Sequence, residues 1–245
     1  MSSHALADRP LYTNEARRLL RQLDHRLDSV VRLVHLSEVW RTLSAPESSA
    51  SLVRAVLREI MFEICAYQHL TVGAGFTMLG RLPKSEQKLL ASLVHHKAEE
   101  AEHGEWAKRD FLLLGGQEPR LSASPSPAAY AVVAVWDRLA EHEDPFGYLG
   151  AEYLFECLTM RLTPELVDIL RARGFALTDA GFIVEHASED VKHTNLLVHW
   201  ILDIASRYPD RCDSILRCFD YFAQVYPAPL WAGAVDRAKS EGPAR

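Results

Sequence analysis

Two eight-residue segments of this chain carry the same polar pattern at helical spacing. His96-Lys97-Ala98-Glu99-Glu100-Ala101-Glu102-His103 and His186-Ala187-Ser188-Glu189-Asp190-Val191-Lys192-His193 both read histidine, a carboxylate four residues on, and histidine three further. In a helix of 3.6 residues per turn, positions i, i+4 and i+7 fall within ~60° of one another. His96, Glu100 and His103 therefore form one stripe, and His186, Asp190 and His193 form another. A fold that uses both stripes must bring two helices together around them.

The rest of the chain agrees with an all-α architecture. Apolar residues recur with helical period nearly throughout, and no alternating run bounded by hairpin turns is present. About seven helices are expected. The first runs from about Glu15 to Thr42, and the second from about Ala50 to Leu79, weakened or bent near Gly73 and Gly75. Pro83 to Glu86 opens a third that continues to Leu114 and stops at Gly115-Gly116. After a Ser/Pro linker, Ser122 to Pro127, a fourth spans about Ala128 to His142. Asp144-Pro145 opens a fifth, expected to break at Thr163-Pro164 because proline removes a backbone donor, with Gly174 ending its continuation. Thr178-Asp179 caps a sixth that reaches about Arg207, a seventh covers about Arg211 to Val225, and a short helix follows Pro229. The linker is short, so one domain over 1–245 is expected, with a flexible N-terminus (about 1–14) and tail (about 240–245).

Imidazole and carboxylate together favour iron, manganese or zinc over calcium, which prefers all-oxygen shells. Helical bundles build dinuclear sites from inward-facing residues of this kind, Glu-x-x-His pairs included, and Glu100/His103 and Asp190/His193 are such pairs. One stripe alone reads equally well as a solvated polar face. Two copies on separate helices favour metal ligation. Glu99, Glu102, Glu105 and Glu189, beside the stripes, read as surface charge paired with Lys97, Lys108 and Lys192.

A dinuclear site needs a further carboxylate from another helix. Glu152 and Glu156 stand four apart among apolar neighbours on the fifth helix, where an acid is costly unless paired or liganded. Glu63 on the second helix is similarly flanked and ranks below Glu156; its bland alternative is a buried acid paired with Arg58 or Arg81.

Composition excludes several classes. Hydrophobic residues make up 48% and charged residues 24%, and the net charge of −6 leaves no basic footprint for nucleic acid. No apolar run approaches the ~20 residues that cross a bilayer, and the N-terminus shows no secretory h-region. The four cysteines form no Cys-x-x-Cys pair and sit in apolar segments, which fits the cytoplasm. A homodimer is the base-rate expectation.

Phe146 to His193 resembles the heme-oxygenase-like iron-containing redox enzymes, also called heme-oxygenase-like diiron oxidases and oxygenases. The resemblance rests on Leu149-Gly150-Ala151-Glu152-Tyr153-Leu154-Phe155-Glu156, on His186-x3-Asp190-x2-His193, and on His103 standing about a dozen residues before Leu114-Gly115. It implies a seven-helix fold like heme oxygenase, a non-heme centre of two iron ions, O₂ as co-substrate, and oxidation of a small molecule by N-oxygenation, desaturation, decarboxylation or oxidative C–C cleavage. Better-known members carry Glu-x6-His on the third helix. Here His96 stands where that glutamate would fall, so His96 and Glu100 compete for one role. Glu156 fits the family's fifth-helix carboxylate better than Glu152.

Three alternatives stand beside this reading. A ferritin-like diiron site would use Glu63, Glu100/His103, Glu156 and Asp190/His193. A heme-binding or heme-degrading protein of the same fold would need an axial histidine on an early helix, His25 or His35. A metal-free catalyst would turn on Cys157. Trp106, Tyr153 and Phe155 are candidates to line an apolar substrate cavity.

Overall fold

The computed structural model describes residues 11–240, apart from the side chains of residues 188–190. The expected flexible segments therefore fall largely outside the described residues, at 1–10 and 241–245. The described residues form α-helices joined by turns and short 3-10 segments: α1 (Asn14–Leu36), α2 (Glu38–Ser44), α3 (Ala50–Leu79), α4 (Gln87–Glu100), α5 (His103–Leu113), α6 (Pro127–His142), α7 (Tyr148–Ala172), α8 (Gly181–Arg207), α9 (Cys212–Ala223) and α10 (Ala228–Ser240). None is long and apolar enough to cross a membrane.

Helix starts follow local chemistry. Thr13, Ser37, Ser49 and Ser126 each accept a backbone N–H of the following first turn, satisfying a donor that the helix leaves orphaned. Ser37 also explains one difference from the sequence reading. Its extended backbone ends α1 and its hydroxyl starts α2, so the expected first helix is two.

Three other expectations change. Helix α3 runs unbroken past Gly73 and Gly75. Helix α7 runs unbroken through Pro164, where a missing donor costs one backbone bond while buried Leu162, Thr163, Val167 and Leu170 hold both sides against the core. The expected third helix, by contrast, divides at Ala101-Glu102, between Glu100 and His103. Division of the first and third helices makes the count exceed seven.

Helix α7 lies at the centre, packed on α8 and α9, while α3 packs on α5, α6 and α10. Gly150 sets the α7–α9 approach: a Cβ there would sit 1.9 Å from the carbonyl oxygen of Ile215. Trp136, Tyr148, Tyr153, Phe111, Phe219 and Phe222 are fully buried between these layers. The middle of α7, the end of α4, the start of α5 and the first half of α8 meet inside this packing.

Candidate metal centre

His96, Glu100, Glu156 and His193 converge from α4, α7 and α8, with one ligand atom of each lying within 4.8 Å of the others. All four are buried. His96 Nε2 stands 3.0 Å from Glu156 Oε1 and 3.7 Å from Glu100 Oε1. His193 Nδ1 stands 3.3 Å from Glu100 Oε1 and 3.7 Å from Glu156 Oε2. Donors held at about 2.1 Å around one ion stand roughly 3.0–3.5 Å apart, so the set matches a metal-sized gap.

The kink at Ala101-Glu102 puts His103 on the other side of Glu100. Its Nδ1 is 3.0 Å from Glu100 Oε2, and its ring lies 4.4 Å from that of His186. His186 Nδ1 donates to the carbonyl of Phe182 at 2.7 Å, which leaves Nε2 as the free ring nitrogen. A carbonyl holding one imidazole nitrogen is the usual way a metal-ligating histidine is oriented. Trp106 stacks on His103 with centroids 4.4 Å apart.

Two observations test the fit of a metal. Nδ1 of His103 and of His193 are buried and make no hydrogen bond of good geometry, although carboxylate oxygens face them. An unbonded buried imidazole nitrogen is costly. Two imidazoles and two carboxylates also form a donor set suited to iron, manganese or zinc. The residues fit such an ion.

The electrostatics agree. Burial pushes Glu100 up, but His103, His193 and Lys97 outweigh it and hold the carboxyl well below the usual range. Glu156 is held down at about 2, against burial and the Glu100 charge, by His96 and His193. His193 is raised to about 11 by the same two carboxylates despite its burial. Burial, then His103, lower His186 to about 4, leaving it neutral and ready to bind a metal.

The remaining candidates are placed as follows. The Asp190 side chain lies outside the described residues. Glu152 is buried on α7 but paired with Lys97, whose Nζ lies 2.7 Å from Oε1. Lys97 is thus no surface charge, a correction to the sequence reading. Its aliphatic stem fits because α3 carries Gly75 opposite, where a Cβ would come within 2.9 Å of Lys97 Cδ. Glu63 is remote from the cluster: it accepts from Ser126 and pairs with Arg237 at 2.5 Å, not with Arg58 or Arg81. The ferritin-like pattern thereby loses its first carboxylate. Glu99 does pair with Lys192, as expected, and also reaches His193 Nε2 at 3.3 Å.

His25 is exposed, and His35 engages Glu165 at the surface, so neither faces the interior as an axial ligand would. Cys157 is buried and its thiol is pushed far up by burial, the opposite of an activated nucleophile. Sequence reasoning missed Gln68 of α3, whose amide donates to Glu100 Oε2 at 3.2 Å. A glutamine one turn from Ile64 and Thr71 on a buried face was the available signal.

A cavity of about 90 Å³ is lined by Gln68, which donates to Glu100, and by His186, whose ring neighbours His103. Its other walls are almost wholly aliphatic and aromatic. Of the three aromatic candidates for a cavity wall, Phe155 lines it. Trp106 does not line it, stacking instead on His103, and Tyr153 is core, with its hydroxyl donating to Asp24.

The family of iron-containing redox enzymes matches residues 76–226. Among solved structures, the chain is similar to a domain of unknown function with a heme oxygenase-like fold from Shewanella denitrificans OS217, at 21% identity and a TM-score of 0.72, over 91% of each chain. No curated protein matches it. The all-α fold is heme oxygenase-like, and the chain belongs to the iron-containing redox enzyme family.

Proposed function

We propose that this chain binds two iron ions and uses O₂ to oxidise a small organic molecule. Glu100 carries the reading. Its Oε1 faces His193 and His96, while its Oε2 faces His103. A carboxylate set between two groups of imidazoles has the disposition of a bridging ligand. On this reading His96, Glu156 and His193 complete one position, and His103 and His186 serve the other with Asp190. Manganese or zinc would satisfy the same donors.

Ferrous iron, when bound, supplies the electrons that activate O₂. The chain supplies everything else. Gln68 fixes the rotamer of Glu100 through its amide. Phe182 holds His186 in one tautomer. The Lys97–Glu152 pair places a fixed positive charge beside two carboxylates while leaving Glu156 free to bind. The apolar cavity keeps water away and holds the molecule to be oxidised next to His186.

Anaerobic loading with ferrous iron, followed by elemental analysis and O₂ uptake, tests this. Wild type should hold about two irons per chain and consume O₂. Glu100→Ala should lose both, and His193→Ala should lose one. A wild type that binds no iron, or a Glu100→Ala variant that binds it normally, overturns the reading.

A further inference from the structure

Two neighbouring residues of α4 grip the His193 ring from opposite sides. Glu100 Oε1 stands 3.3 Å from its Nδ1, and Glu99 Oε2 stands 3.3 Å from its Nε2. Successive residues of a helix point about 100° apart, so Glu99 and Glu100 open a slot into which α8 inserts the imidazole. The two contacts differ in kind. Nε2 and Glu99 meet with hydrogen-bond geometry, whereas Nδ1 makes no hydrogen bond of good geometry. An ionised carboxylate only accepts, so the proton of this bond belongs to Nε2. Nδ1 is then the nitrogen turned toward Glu100 and Glu156.

Glu99 is itself held in place. Lys192 Nζ lies 2.6 Å from its Oε1, and His95 Nε2 lies 3.3 Å from the same oxygen. One oxygen is thus taken by surface partners, and the other is left for His193. The Glu99 side chain is 30% exposed and that of His193 1%, so this carboxylate joins the surface to the buried cluster. His186 is oriented by a backbone carbonyl, that of Phe182. A carboxylate behind an imidazole does more: it fixes the tautomer and also makes the opposite nitrogen a stronger donor to a metal.

We infer that Glu99 is a positioning residue for the candidate metal centre, holding the Nε2–H of His193 so that Nδ1 is the atom offered to an ion alongside Glu100 and Glu156. That role rests on the metal reading above.

Nitrogen-15 NMR of the histidine rings tests this on the full chain, without metal and during titration with zinc against a competing chelator. Zinc is diamagnetic and suits the same donors. The His193 resonances report its own position. In wild type, zinc should shift Nδ1 while Nε2 keeps a slowly exchanging proton. Glu99→Leu removes the acceptor at a half-buried site, and should lose the protection of that proton and about 10–100-fold in zinc affinity at His193. Glu99→Gln keeps an oxygen acceptor and should recover most of the affinity. Lys192→Met removes only the surface pair and should stay within about fivefold of wild type.

Zinc bound through Nε2 overturns the inference. So does Glu99→Leu titrating like wild type, or Lys192→Met weakening zinc as much as Glu99→Leu does. The metal-free spectra separate this inference from the reading beneath it. A chain that takes up neither zinc nor iron, yet shows an Nε2–H protected only when Glu99 is present, refutes the metal reading and leaves the hold on the ring. A chain that takes up metal with His193 unmoved by Glu99→Leu refutes this inference alone.

Discussion

Lys97 Nζ lies 2.7 Å from Glu152 Oε1 and 2.8 Å from Oε2, and both side chains are buried within the layer that holds the metal-ligating candidates. The pair gives different surroundings to two carboxylates that stand one turn apart on α7. Glu152 is consumed by the ammonium, so Glu156 is the one left facing the histidines. Burial pulls the Lys97 pKa down, but Glu152, Glu100 and Glu156 raise it above its ordinary value, so the charge persists across the working pH range. Lys97→Met should strand Glu152 as a lone buried charge and destabilise the protein by about 3–5 kcal/mol. The double variant Lys97→Met with Glu152→Leu should recover most of that loss. Urea denaturation of the two variants checks both statements, and a double variant no more stable than the single one would sink them.

Gly75 makes the room for that lysine. A Cβ at this position meets Lys97 Cδ at 2.9 Å and Cε at 3.1 Å, in a side chain that is buried. Gly75→Ala gains helix propensity in the middle of α3, worth about 1 kcal/mol on an exposed face. Overpacking of about 1–3 kcal/mol should outweigh it here. The variant should unfold at lower urea than wild type, whereas Gly73→Ala, where nothing lies within 4 Å, should be stabilised.

Much of the fold was legible because it is written locally. Helix α3 begins and ends where the sequence places it, since Ser49 caps one end and Gly80-Arg81 releases the other. The cluster was legible where spacing within one helix creates it, which is why His96, Glu100 and His193 came from pattern, whereas pattern offered Glu152 and Glu156 together and the family resemblance favoured Glu156. The division at Ala101-Glu102 was not legible. Both residues keep right-handed helical dihedrals, and the change is a switch to bonds three residues apart, from Glu102 N to Glu99 O and from Glu105 N to Glu102 O. Good helix formers conceal such a switch. The burial of Lys97 was hidden for a different reason: it depends on a missing side chain at Gly75, on another helix.

His193 gives a signature for metal binding that does not depend on turnover. Without metal, Glu100 and Glu156 raise its pKa to about 11, so at neutral pH it carries a proton that an ion must displace. Binding of zinc or ferrous iron near pH 7 should release about one proton from this position, and apparent affinity should rise with pH. The sign for stability runs the other way. A pKa raised by folding contributes stability that is full below the unfolded value near 6.5 and is lost as pH climbs toward 11. Calorimetry in buffers of different ionisation enthalpy reads the proton count. In His193→Gln the count should fall by about one; an unchanged count would show that His193 is not the displaced group.

Asp110 ties the second half of the cluster to a helix start. The sequence suggested that Thr178-Asp179 caps the sixth helix, but those residues lie in the 3-10 turn before it, and the first turn of α8 is capped from outside. Asp110 of α5 accepts the Phe182 N–H at 2.6 Å and pairs through its other oxygen with Arg109. Phe182 is also the residue whose carbonyl orients His186. Asp110→Ala should therefore cost about 1–2 kcal/mol as a lost cap, and should loosen His186 at the same time. The expected outcome is weaker binding at the His103–His186 position with the His96–Glu156–His193 position unchanged, measured as a split in a two-site iron titration. Asp110→Asn, which keeps an acceptor for Phe182, should restore most of the affinity. If Asp110→Ala is less stable yet titrates like wild type, the cap holds the helix without positioning the ligand.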